Sequence, residues 1–160
     1  MTIKIGDSLP EANVRVMTQD GPAPKKFSEM TAGKKIVLFA VPGAFTPTCH
    51  RNHLPGYAAN AAAFKAKGID EVVVVAVNDV FVMDAWAKAS GAEGAITFIS
   101  DGNAEFTKAV GLDADFAMAG MGVRSKRYSM LIDNGVLKQL NIEEGREVKA
   151  SAAETILGQI

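Results

Sequence analysis

The sequence predicts one α/β domain over residues 1–160, a central mixed β-sheet with helices on both faces. Three observations carry this. Ile36 to Val41 and Val72 to Val77 are unbroken apolar runs, the pattern of strands covered on both sides. Between them the alanine-rich run Tyr57 to Lys67 is helical in composition, which makes a βαβ unit with parallel strands and a right-handed crossover. Later, Asp133-Asn134-Gly135 separates two strand-like runs and is a hairpin signal, so antiparallel strands join the parallel pair.

The elements follow in order. Val14, Arg15 and Val16 alternate and predict a short edge strand. Gly21-Pro22-Ala23-Pro24 reads as a loop, and Phe27 to Met30 fits either a short strand or one helical turn. After the strand Ile36 to Val41, Pro42 and Gly43 break the chain. A helix then starts near Thr46, with threonine at the N-cap and proline at the first helical position, where its missing N–H costs nothing. Pro55 should kink or break it, because its ring clashes with the carbonyl of Arg51. The helix Tyr57 to Lys67 stops at Gly68. Asp79 can cap a helix to about Ala89, with Val82, Ala85, Trp86 and Ala89 on one face. Ala95 to Ile99 is a strand, Ala104 to Val110 a short helix, and Leu112 to Val123 an apolar loop. Tyr128 to Ile132 and Val136 to Leu140 flank the hairpin turn, and Ala152 to Leu157 is a closing helix.

Composition narrows the function. A hydrophobic fraction of 48%, a charged fraction of 22% and a net charge of -1 describe an ordinary globular chain with no electrostatic grip on nucleic acid or anionic membrane. No apolar run is long enough for a bilayer span, and the first fourteen residues look like neither a signal nor a transit peptide. The expectation is a cytoplasmic protein. A single cysteine excludes an internal disulfide.

Chemistry concentrates between Ile36 and Gly56, which hold that cysteine, Cys49, and both histidines, His50 and His53. Cys49 falls in the first helical turn, among unpaired N–H groups at the positive end of the helix dipole, where a thiol ionises more easily than the free value of about 8.5. Thr46, three residues earlier on the same helical face, brings a hydroxyl close to the sulfur as well as a cap. His53, four residues later, suggests a cysteine–histidine nucleophile pair, although no third group to orient the imidazole is visible. Cys49, His50 and His53 could form only a partial metal site, since zinc usually needs three or four protein ligands. Arg124, Lys126 and Arg127 form a basic cluster that is either a solvated loop edge or the source of a guanidinium aimed at Cys49.

At this point the residues carry a resemblance. Pro42-Gly43-Ala44-Phe45-Thr46-Pro47-Thr48-Cys49 resembles the P-x-x-x-T-x-x-C motif of peroxiredoxins, and His53-Leu54-Pro55-Gly56-Tyr57 resembles the type-five subfamily that includes the plant type II enzymes. The blocks Val77 to Met83 with Trp86, and Arg124 to Met130, are similar to further blocks of that subfamily, in the same order. The resemblance implies a thioredoxin-like fold and reduction of hydrogen peroxide or organic hydroperoxides at the Cys49 thiolate, without metal or other cofactor. It gives Thr46 and Arg127 the stabilisation of thiolate and peroxide, and Pro42 the shielding of the pocket. Gly43, Phe45, Thr48 and Phe116 are expected to contact substrate. A homodimer is expected, and the apolar loop with Phe116, Met118 and Met121 is either a contact for it or part of the pocket lining or core. Many relatives carry a second, resolving cysteine, and this sequence has none. The sulfenic acid therefore needs an outside thiol, with glutathione alone or with glutaredoxin favoured and thioredoxin second. Three rival readings are a cysteine–histidine hydrolase or acyl transferase, an adaptor that passes oxidation to a partner by mixed disulfide, and a non-catalytic thioredoxin-fold binding module, which the intact Thr46, Cys49 and Arg127 argue against.

Overall fold

A computed structural model describes all residues, Met1–Ile160. Its centre is strand β3 (Lys35–Ala40), which pairs in parallel with β4 (Glu71–Ala76) and antiparallel with β8 (Tyr128–Asp133). Beyond β4 lies the parallel strand β5 (Thr97–Ser100), then β1 (Asn13–Thr18) and β2 (Gly21–Lys26); beyond β8 lies β9 (Val136–Ile142). The seven-stranded order is β2-β1-β5-β4-β3-β8-β9. The mixed sheet is therefore as the sequence predicts.

Because side chains alternate along a strand, β3 divides the interior in two. Ile36, Leu38 and Ala40 join Phe27, Phe106 and Val110 on one face, covered by α1 (Phe27–Thr31) and α5 (Glu105–Ala109). Val37, Phe39 and Val41 join Leu54, Tyr57, Phe64, Trp86 and Ile156 on the other. That face is covered by α2 (Leu54–Ala59), α3 (Ala61–Ala66), α4 (Val80–Ser90) and α6 (Ala153–Leu157). Cys49 lies in this second cluster, with Val41 just after β3.

Several expectations need correction. Gly21 to Lys26 is a strand, not a loop, and it forms the sheet edge in place of β1. Pro22 and Pro24 sit opposite Met17 and Arg15; prolines are tolerated on an edge, where a missing N–H breaks no second ladder. Phe27 to Thr31 resolves as helix. In α4 the buried residues are Val80, Met83, Trp86 and Ala87, so the inward face is rotated from the expected one, and Ala85 and Ala89 lie outside it. Alanine gave the pattern too little contrast to fix the face. Asp79 does cap α4, its carboxylate accepting from the Val82 N–H at 2.9 Å. The apolar stretch after Leu112 is not a plain loop: β6 (Asp113–Asp115) and β7 (Val123–Ser125) pair antiparallel around a 3₁₀ turn, Ala117–Ala119. The hairpin turn is as expected, with Asn134 and Gly135 both at positive φ (48° and 79°).

Candidate active site

The site forms where β3 ends and the following helix begins. The helix starts at Pro47 with Thr46 before it, as expected, but the Thr46 hydroxyl does not cap it. That hydroxyl donates back to the Gly43 carbonyl at 2.7 Å. The first helical bond is His50 N–H to Thr46 C=O at 2.9 Å, which leaves the N–H groups of Thr48 and Cys49 upstream of the ladder. Gly43 is needed for closeness: a Cβ there would stand 3.0 Å from the Thr46 methyl and 3.2 Å from both Arg124 and Met121 side chains.

The helix then widens. Cys49–His53 is a π turn closed by Leu54 N–H to Cys49 C=O, and α2 follows through Pro55. Pro55 has no N–H for the Arg51 carbonyl, so the chain takes a wide turn there instead of breaking. Further on, Asn60 divides the expected single helix into α2 and α3.

Arg127, just ahead of β8, reaches across to this turn. Its guanidinium donates from Nη2 to the Cys49 Sγ at 3.0 Å and from Nη1 to the His53 Nδ1 at 2.9 Å. Arg127 is 8% exposed and Cys49 fully buried, and no carboxylate lies within ion-pair distance of this arginine. The other members of the basic cluster go elsewhere. Arg124 donates to the carbonyls of Met121 and Pro42, and Lys126 is exposed.

His53 does not pair with Cys49 as a base; the group on the sulfur is the Arg127 guanidinium, a donor and a fixed charge. An arginine can only donate, so His53 Nδ1 carries a lone pair and Nε2–H donates to the Ser151 carbonyl at 3.0 Å. Burial, against Phe39 and Tyr57, lowers its pKa from 6.5 to about 4, so the imidazole is neutral at pH 7. The unfolded chain binds this proton in the window where the fold refuses it. The His53 contribution to stability is therefore fully present above about pH 6.5, and about 3 kcal/mol is lost by the time the pH has fallen through about 4. Urea unfolding at pH 7.5 and pH 5 checks this, with His53→Gln expected to flatten the slope. Asp101, raised by burial, acts in the opposite direction and is untouched by that substitution.

His50 is engaged elsewhere: its Nδ1 accepts from Trp86 Nε1 at 3.0 Å, and Phe45 stacks on its ring. No three histidine, cysteine or acidic side chains converge as a metal site. Phe45 is half exposed at positive φ (63°) and does not line the cavity, contrary to expectation. Gly43 stands behind Thr46 and does not line it either. The cavity, about 780 Å³, is lined by Pro42, Thr46, Thr48, Phe116 and Arg127 and by the charged side chains Lys126, Glu143, Glu144 and Arg146. Cys49 lies behind this wall.

The sheet presents one thiol beneath a guanidinium, and the family model described as Redoxin matches residues 4–157. Similar curated proteins are Peroxiredoxin-2E, chloroplastic, of Arabidopsis thaliana (45% identical, covering 98% of this chain and 68% of that one) and Peroxiredoxin-2C of Oryza sativa subsp. japonica (44%, covering 97% and 96%). The crystal structure of reduced Prx3 in complex with H₂O₂ from Vibrio vulnificus matches at TM-score 0.95 and 50% identity, covering 99% of both chains. The chain belongs to the peroxiredoxins; it is a thiol-dependent peroxidase.

Proposed function

We propose that Cys49 attacks the hydroperoxide and that its sulfenic acid is reduced by a small external thiol, glutathione alone or with glutaredoxin. The observation that carries the first half is the Arg127–Cys49 contact at 3.0 Å. A buried cation without a carboxylate partner needs a counter-charge, and the Cys49 thiolate is the group positioned to supply it. The sulfur attacks the terminal peroxide oxygen, an S–O bond forms and the O–O bond breaks. The leaving alkoxide or hydroxide takes up a proton, and Cys49 becomes a sulfenic acid. Thr46 donates to the Gly43 carbonyl, which leaves its oxygen lone pairs to accept from the peroxide O–H. Arg127 and the free N–H groups of the first turn stabilise charge on the oxygens. Pro42 walls the cavity beside Thr46 and restricts water there.

The reductant proposal rests on the absence of a second cysteine in the chain and on the size and lining of the cavity. Hydrogen peroxide is far smaller than a cavity of about 780 Å³, which suits a ligand of tripeptide size. Lys126 and Arg146 make no salt bridge and, with Glu143 and Glu144 on the same cavity wall, offer both signs of charge to glutathione, which carries two carboxylates and an ammonium group. The test is to oxidise the protein with one equivalent of peroxide, then add thioredoxin and glutathione plus glutaredoxin in separate mixes. Faster recovery of the thiol with glutathione supports the proposal; recovery with thioredoxin alone overturns it. A cytoplasmic setting and a homodimer belong to the same proposal. The dimer is supported by the exposed side chains of Phe45 and Met118, and sedimentation and cell fractionation read the two.

A further inference from the structure

The Cys49–Arg127 contact is held from a distance. Arg127 is oriented by His53, and His53 by the carbonyl of Ser151, which also accepts from the Tyr57 hydroxyl at 2.6 Å. Ser151 precedes α6 in a segment without regular structure of its own. What fixes that segment is Glu143, just beyond β9. One carboxylate oxygen accepts from Lys149 N–H at 3.1 Å, Ser151 N–H at 2.9 Å and the Ser151 hydroxyl; the other accepts from Ala150 N–H at 3.0 Å. The Glu143 N–H in turn donates to the Arg127 carbonyl at 2.9 Å. Glu143 thus ties the backbone of Arg127 to the loop whose carbonyl sets the imidazole against the Arg127 side chain.

We propose that Glu143 is a positioning residue for peroxide reduction, acting through the 149–151 loop and His53 to hold the Arg127 guanidinium on the Cys49 sulfur. Four donors and no acceptor face its two oxygens, so only a carboxylate satisfies the loop. A glutamine would set its own N–H₂ against a backbone N–H. The donors keep the acid ionised: burial alone would raise its pKa, but the hydrogen bonds, that from the Ser151 hydroxyl foremost, hold it below the ordinary 4.5. An active-site hydrogen bond that drifts by an ångström typically costs about 100-fold, so loosening this loop should be felt at the sulfur.

The inference rests on Cys49 as the attacking residue, and the experiment separates the two. Rapid mixing of reduced protein with hydrogen peroxide gives the second-order rate constant for wild type, Glu143→Gln, Ser151→Ala, Arg127→Met and the Glu143→Gln/Arg127→Met pair. Thiolate absorbance in the ultraviolet against pH gives the fraction of Cys49 held as the anion. Glu143→Gln should slow the reaction about 10- to 100-fold and reduce the thiolate fraction at neutral pH. Ser151→Ala, which removes one of the four donors, should move both in the same direction by less. It also decides the question if Glu143→Gln does not fold. In the Arg127→Met background Glu143→Gln should add less than about 2-fold, since the group it positions is gone. A full additional loss in that background, or an unchanged thiolate fraction in both single variants, overturns the role of Glu143. Failure of the underlying reading would show separately, as peroxide reduction by a Cys49→Ser protein.

Discussion

Replacing Cys49 by serine is expected to lower peroxide reduction by at least about 10⁴-fold, the scale on which the loss of an attacking group is felt. The requirement is electronic as much as geometric. The reaction needs a polarizable anion that can accept an oxygen atom and remain a stable sulfenic acid, and an oxygen nucleophile has no corresponding product. The serine hydroxyl keeps a lone pair for the Arg127 Nη2–H, so the fold should persist, but the buried guanidinium loses its counter-charge and the variant should melt lower. Rapid mixing with hydrogen peroxide, beside a thermal melt, is the measurement. A folded Cys49→Ser protein that consumes peroxide at the wild-type rate would remove the mechanism.

The sequence showed its fold best where burial was complete. Runs such as Ile36 to Val41 and Val72 to Val77 are apolar at every position because both faces of the sheet are covered, and β3 and β4 appear where those runs stand. The Asn134–Gly135 turn was legible because few residues take positive φ twice in succession. The edge was less so. Pro22 and Pro24 argue against a strand in any sheet centre, and only the tertiary position of β2, with one neighbour, makes them harmless. In α4 the alanines blurred the helical period, and contact with the sheet selected Met83 and Trp86 as the inward face.

The site divides in the same way. Thr46, Pro47 and Cys49 form one turn, so their relation was local and readable. Arg127 stood in a basic cluster with Arg124 and Lys126, and periodicity offered no choice among them. Resemblance to a family selected it, and the geometry places it 3.0 Å from the sulfur. His53 misled because i, i+4 spacing assumes an α-helix. The π turn changes the register there, and a side chain 74 positions away takes up the imidazole. The Glu143 contacts with residues 149–151 left no signal at all: a lone carboxylate after a strand resembles any solvated end, and its value lies in backbone N–H groups that the sequence does not mark.

Arg127→Met should separate activity from folding. The guanidinium supplies two directed N–H groups, one to the sulfur and one to His53, and it supplies the full positive charge in contact with Cys49. Removing one preorganised donor to developing charge costs about 10²–10³-fold in rate, so the rate constant with hydrogen peroxide should fall on that scale. Arg127→Lys keeps the charge but not the fork, and one ammonium cannot reach both Cys49 and His53 along the same lines; an intermediate loss follows. Stability should move the other way or not at all. A buried cation has no carboxylate partner here, so its desolvation is offset only by the thiolate, and methionine abolishes that cost in a cluster that already holds Val41, Leu54 and Tyr57. The orphaned His53 Nδ1 works against this gain, which is why the melting temperature is expected to stay level or rise slightly. A variant that melts lower yet keeps the wild-type rate would assign Arg127 to the architecture instead of the chemistry, because a group needed only to hold the fold cannot be the one that holds charge on sulfur and peroxide oxygen.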